Sequence, residues 1–212
     1  MENLKNQTDL FKSIECLEFK ATNSKSNFYL HSLDENIADN ISKSDPDIRY
    51  STSFTVELIA NKEGGTKKEN VGFIKATSFE PESVFFIYGK IRFMALCDML
   101  SSSAYRMAEA VSDDEGFIKS KICPINSRII YIDELYIEEN YRNYGIGRYL
   151  LDNINKIISQ IYNYEHYVCL LESLPMVLSE RTPEHQKRLN NYYKKAGFKP
   201  IKNTGVMYRI PP

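Results

Sequence analysis

Residues 131–151 read YIDELYIEENYRNYGIGRYLL. An apolar-rich segment of strand character ends in a polar turn, and a helix opens directly on the second of two glycines, Gly145 and Gly147. The core of the turn is Arg142-Asn143-Tyr144-Gly145-Ile146-Gly147, an R-x-x-G-x-G. Glycines allow a sharp turn and a close backbone approach without a Cβ in the way. The helix that follows offers unpaired N–H groups and the positive end of its dipole to an anion. A strand feeding such a turn is a phosphate cradle in outline.

Working outward, residues 128–137 form the strand. Ile146, Leu150, Ile154, Ile157 and Ile161 mark one face of a helix over about 145–162. Tyr167 to Leu171 is a buried strand by its apolar run. Thr182-Pro183-Glu184 supplies an N-cap, an N1 proline and an acidic first turn, and Gly197 ends that helix. Phe198 to Ile201 and Val206 to Ile210 close as a hairpin around Asn203-Thr204-Gly205. The C-terminal half therefore alternates strand and helix, a mixed α/β order.

The N-terminal half is less regular. Phe11 to Lys20 alternates as a first strand. Leu30, Leu33, Ile37 and Ile41 step as a short amphipathic helix that stops before Asp45-Pro46-Asp47. Ser53 to Ala60 and Val71 to Phe79 read as a hairpin with a long, solvated loop over Asn61 to Asn70. Residues 80–127 then carry a helical stripe of Phe93, Leu96, Leu100, Ala104, Met107 and Val111, stopped by Ser112-Asp113-Asp114-Glu115-Gly116. Core packing is the simplest use of that stripe.

At 212 residues the chain is long enough to bury a real core, and one domain over 1–212 is expected. The formal net charge is −1, which selects no nucleic acid or membrane partner. Cys16, Cys97, Cys123 and Cys169 are scattered, with no C-x-x-C, and His31, His166 and His185 do not fall at metal-ligand spacing beside them. Free thiols and no metal follow. MENLKNQTDLFKS lacks the apolar run of a signal peptide, so a cytoplasmic location is expected.

Three phosphate motifs must be separated. A P-loop requires Lys-Ser/Thr after its last glycine, and Gly147 is followed by Arg148-Tyr149. The dinucleotide fingerprint requires a third glycine where Leu150 stands. The remaining arrangement, read with Tyr192-Tyr193-Lys194-Lys195-Ala196-Gly197-Phe198 downstream, resembles the GNAT superfamily of acetyl-CoA-dependent N-acetyltransferases. Leu135-Tyr136-Ile137 is similar to its central splayed strand, and Val71-Gly72-Phe73-Ile74 is a weaker echo of its third strand. The clear resemblance covers about residues 128–210. It implies a central twisted mixed sheet of about six to seven strands flanked by helices, with 80–127 as a helical insertion before the cofactor strand. Glu139 stands where the family often has Pro, and Gln186 stands where it commonly has an Asn that contacts the cofactor, so the resemblance implies a cofactor contact at Gln186.

The resemblance also implies roles. The N–H groups of Tyr144, Gly145, Ile146, Gly147 and Arg148 would hold the pyrophosphate of acetyl-CoA, with Arg142 and Arg148 offering charge beside Asn143. Leu135 and Ile137, flanking Tyr136, would pair with the peptide-like pantetheine arm. Tyr193 would be the general acid and touch the cofactor, because a phenol stays protonated at neutral pH. Its alternative use is ring packing against Phe198 or Leu189. Glu172 and Glu134 compete as general base, and either could instead be a salt-bridged strand-end carboxylate. Deprotonation through ordered water would need neither.

The acceptor implied is a primary amine, on a protein or peptide, a polyamine, an antibiotic or a small metabolite, attacking directly to give a tetrahedral intermediate. A non-catalytic acyl-CoA-binding or protein-interaction module is the alternative, with 80–127 offering a partner or homodimer surface. A toxin acetylating charged tRNA is a third reading, against which the sequence displays no basic face.

Overall fold

The computed structural model describes residues 14–24, 51–62, 68–80, 92–124, 127–162, 166–174 and 182–211. The helix expected over Leu30 to Ile41 lies outside them, as do Phe11 to Ser13.

In chain order the elements are β1 (Ile14–Ser24), β2 (Ser51–Lys62), β3 (Lys68–Phe79), α1 (Arg92–Leu100) and α2 (Ser102–Val111). Then follow β4 (Arg128–Ile137), a 3-10 turn (Glu139–Tyr141), α3 (Ile146–Tyr162), β5 (Tyr167–Glu172), α4 (Pro183–Lys195), β6 (Lys199–Pro200) and β7 (Val206–Arg209). Among the described residues seven strands are ordered β1-β2-β3-β4-β5-β7-β6. β4 and β5 run parallel, in register from Arg128↔Tyr167 to Ile132↔Leu171. β5–β7 and β6–β7 are antiparallel, so the sheet is mixed, as expected of this fold class.

By packing, the described residues fall in two compact units, one drawn from the stretches Met1–Asn23, Phe54–Ala76 and Glu134–Glu165 and the other from Ser24–Ser53, Thr77–Asp133 and His166–Pro212. In the first, β2 and β3 bury Val56, Leu58, Val71 and Ile74, and α3 buries Ile146, Leu150, Ile154 and Ile157 along the stripe its sequence announced. Each such side chain contributes roughly 1.5–3 kcal/mol by leaving water. β2 runs on to Lys62 and β3 begins at Lys68, so the loop expected over Asn61 to Asn70 is shorter than its polar composition implied.

In the second unit Phe93, Leu96, Met107 and Val111 join Ile129, Tyr131, Val168 and Leu170 in one buried cluster. Phe79 and Phe93 meet edge to face with ring centroids 5.8 Å apart. The 92–111 segment is therefore part of this core. Its stripe is not one helix but two. Ser101 is extended (φ −170°), and its hydroxyl accepts from the Ala104 N–H at 3.0 Å, capping α2. The Ser101-Ser102-Ser103 run explains the break, since serine competes for backbone groups and favours a cap over a helix interior. The expected stop at Ser112 is present, its hydroxyl donating to the Ala108 carbonyl at 2.7 Å.

Candidate active site

Lys75 and Thr77 share a face of β3, being two residues apart. Yet Lys75 Nζ bonds Glu134 at 2.8 Å and Thr77 Oγ1 bonds Asp133 at 2.9 Å, and those carboxylates are consecutive in β4. Consecutive side chains on one face mark an extra residue in the strand, a β-bulge. The backbone agrees: the N–H of Arg128 donates to His166 on the β5 side, while that of Glu138 donates to Val71 on the β3 side. Uninterrupted alternation would send both the same way. After the bulge, residues 136 and 138 face β3, so Leu135 and Ile137 present their backbone groups to the opposite edge. Gly72 permits the close pairing with β3. A Cβ there would collide with the Tyr136 carbonyl oxygen and lie 2.8 Å from Ile137 Cδ1.

The turn beyond β4 is folded back on the strand. Arg142 Nε donates to the Ile137 carbonyl at 2.9 Å, and its guanidinium lies 5.6 Å from the Tyr136 ring centroid, which stacks at 5.3 Å on Phe73. Tyr141 is buried beneath the turn. Two residues take left-handed conformations, Asn143 (φ 68°) and Gly145 (φ 81°). Of the two glycines, only Gly145 serves the turn. Gly147 is already helical, and the second left-handed position is Asn143, expected at the cofactor but not as a turn residue, though asparagine tolerates this region. The first bond of the helix end runs from Tyr149 N–H to the Gly145 carbonyl at 2.9 Å. The N–H groups of Ile146, Gly147 and Arg148 thus precede the ladder and belong to the set helices leave for caps or anions. Arg148 Nε donates to Asp152 at 2.8 Å, and Arg142 approaches Glu139 at 3.7 Å. Both arginines remain partly exposed. Such exposed pairs contribute about 0–1 kcal/mol, little enough for a phosphate to displace.

Tyr193 sits near the end of α4, whose N-cap Thr182 accepts from the His185 N–H at 3.2 Å. The helix ends in a Schellman motif: Gly197 (φ 85°) donates to the Lys194 carbonyl, and Phe198 donates to the Tyr193 carbonyl, both at 3.0 Å. The hydrophobic contact of that motif is Tyr193 on Phe198, centroids 6.2 Å apart. The aromatic–x–x–x–Gly–Phe spacing is therefore explained in part by capping. The ring-packing alternative is realised alongside whatever the hydroxyl does. Tyr193 is half-buried, and loss of water pushes its phenol up to about 12.

Neither expected base stands alone. Glu172 accepts two bonds from Arg106 on α2, Nε to Oε1 at 2.6 Å and Nη2 to Oε2 at 2.9 Å. Arg106 also donates to Ser103 at 3.1 Å. Tyr131, hydrogen-bonded to Ser103 and buried beside Glu172 and Asp133, has its phenol raised chiefly by that burial. Glu134 holds Lys75. The Gln186 side chain, expected at the cofactor, donates to the Ser173 carbonyl at 2.6 Å and to the Ser173 hydroxyl at 3.1 Å. Its amide thereby ties α4 to the end of β5. Sequence reading missed Arg106, Ser103, Tyr131 and Asp133. Nothing local signals that α2 lies beside the end of β5. Among the described residues no cluster of His, Cys, Asp and Glu is arranged to hold a metal ion. No helix among them is long and apolar enough to cross a membrane.

Residues 101–200 match the family model described as "Acetyltransferase (GNAT) domain". No curated protein matches the sequence. Among solved structures, the KacTA–DNA complex is similar at 12% identity and a TM-score of 0.44, covering 92% of this chain and 93% of that one. AtaTR bound with AcCoA is similar at 11% identity, a TM-score of 0.41 and 92% coverage of each chain. NAA60 of Arabidopsis thaliana in complex with acetyl-CoA gives 15% identity and a TM-score of 0.43, with 92% and 98% covered. The family match spans α2, β4, the R-x-x-G-x-G turn and the capped Tyr193, and over residues 101–200 this chain matches the GNAT acetyltransferase domain.

Proposed function

We propose that the chain, as one domain over 1–212, moves an acetyl group from acetyl-CoA to a primary amine. The candidate acceptors are a protein or peptide, a polyamine, an antibiotic or a small metabolite. The observation that carries this reading is the turn itself. Asn143 and Gly145 in left-handed conformations set the helix N–H groups of Ile146, Gly147 and Arg148 ahead of the hydrogen-bonded ladder. A pyrophosphate is the anion such a cradle suits.

The outward edge of β4 at Leu135 and Ile137 supports pairing with the pantetheine amides, with the Ile137 carbonyl already occupied by Arg142. The amine nitrogen attacks the thioester carbonyl carbon, the C–N bond forms, and collapse of the tetrahedral intermediate breaks C–S. Tyr193 donates its phenolic proton to the departing thiolate, and the proton shed by the new amide nitrogen restores the phenol. Its raised pKa keeps that proton available across the physiological range. Glu172 and Glu134, each engaged by a cation, hold structure, and the ammonium loses its proton to solvent water.

Incubation with acetyl-CoA and an amine panel, following free CoA thiol, tests the reading. Thiol release dependent on an amine supports it. Tight acetyl-CoA binding without release on any amine would leave the acyl-CoA-binding module instead.

A further inference from the structure

The net charge of −1 conceals a segregation. Residues 182–212 hold Lys187, Arg188, Lys194, Lys195, Lys199, Lys202 and Arg209 against a single side-chain carboxylate, Glu184. Folding then sorts them. Lys187, Arg188, Lys194 and Lys195 lie at i, i+1, i+7 and i+8 of α4 and are all exposed, with exposed Asn191 between the pairs. At about 100° per residue they occupy an arc of roughly 120° of the helix. The opposite face is committed to the protein, with Gln186 on Ser173 and Tyr193 on Phe198. Among the described residues none of these four cations is in an ion pair. Lys199 and Lys202, just beyond the helix, are exposed as well.

We propose that this face docks the sugar–phosphate backbone of a single-stranded nucleic acid. The two cationic pairs stand about 10 Å apart along the helix, at 1.5 Å rise per residue. Asn191 between them adds the amide that commonly accompanies lysine and arginine on phosphate and sugar. Half-buried Tyr192, one turn from both Arg188 and Lys195, borders the arc with an aromatic surface of the kind that stacks on bases. An anionic membrane fits less well, because an interfacial helix turns an apolar face to lipid, and the inner face of α4 is already engaged. An acidic polypeptide lacks the planar bases such a ring would stack on.

The test is fluorescence anisotropy with a labelled 20-nucleotide polyuridine and the intact protein, across a salt series. Four released counterions on a single strand give a log–log salt slope of about −3, roughly a 50-fold weakening between 50 and 200 mM salt. The variant Lys187→Gln/Arg188→Gln/Lys194→Gln/Lys195→Gln should weaken binding at least 10-fold at low salt and flatten that slope. Lys121→Gln, an exposed lysine elsewhere in the chain, should change neither. Circular dichroism establishes that the variants are folded. Absence of wild-type binding at low salt, or equal binding by the fourfold variant, would overturn the proposal. So would tighter binding to phosphatidylserine vesicles or to polyglutamate than to polyuridine.

Discussion

Arg106 and Glu172 meet in a two-point ion pair, Nε to Oε1 at 2.6 Å and Nη2 to Oε2 at 2.9 Å, joining α2 to the end of β5. The Glu172 side chain is only 11% exposed, so removal of its partner strands a carboxylate that water reaches poorly. Breaking a fully buried pair in this way costs about 3–5 kcal/mol. Arg106 retains 38% of its exposure, and solvent screening reduces the expected loss for Arg106→Ala to about 2 kcal/mol. The midpoint of urea denaturation measures it. Glu172→Gln should retain turnover within about tenfold, whereas loss of a general base typically costs about 10²–10⁴-fold. A loss in that upper range would restore Glu172 as the base.

Tyr193→Phe separates the two uses of this ring. Packing on Phe198 survives the substitution, so the thermal midpoint and acetyl-CoA affinity should hold while turnover falls about 10²-fold. Unchanged turnover would remove the acid role.

The same phenol makes a pH prediction. Burial raises it from 10.0 to about 12, so the folded state holds the proton more tightly than the unfolded state. The associated stability is complete below pH 10 and is lost as pH rises towards 12. Wild type should therefore lose stability over that alkaline window more steeply than Tyr193→Phe, as followed by denaturant midpoints at a series of pH values.

Gly147→Asp introduces a side chain and a negative charge into the first turn of α3. An aspartate near a helix N-terminus is compatible with the helix itself, worth a few tenths of a kcal/mol or more in its favour. Folding should persist while acetyl-CoA binding, read by calorimetry, is lost. Retained tight binding would locate the phosphates elsewhere.

Gly72→Ala places a Cβ against the Tyr136 carbonyl oxygen and Ile137 Cδ1, a backbone contact that no side-chain rotation relieves. A loss of about 1–3 kcal/mol is expected, the usual cost of overpacking. A thermal midpoint unchanged from wild type would show that β3 and β4 separate freely here.

Features set within a few residues were legible in the chain. The strand over 128–137, the helix stripe from Ile146, the Thr182 cap and the Gly197 stop all depend on neighbours within about two turns. The structure reproduces each of them. What was not legible has the same origin. One stripe from Phe93 to Val111 looked continuous because periodicity passes through Ser101, whereas the serine side chain decides the break. The bond from the Gln186 amide to Ser173 was not legible either, because Ser173 is remote from the helix pattern.

By itself, the sequence determined the two-glycine turn, the helix behind it and the Tyr193–Gly197 cap, since local dihedral preference and hydrogen bonding specify them. The tertiary structure alone decided which carboxylates are tied to cations. It also set the bulge that aims Leu135 and Ile137 outward, and the arc of α4 that carries exposed positive charge. Those depend on which strand lies beside which and on which helix face is covered. Net charge contains no such information, and spacing along a helix gathers side chains on one face without saying whether that face is covered.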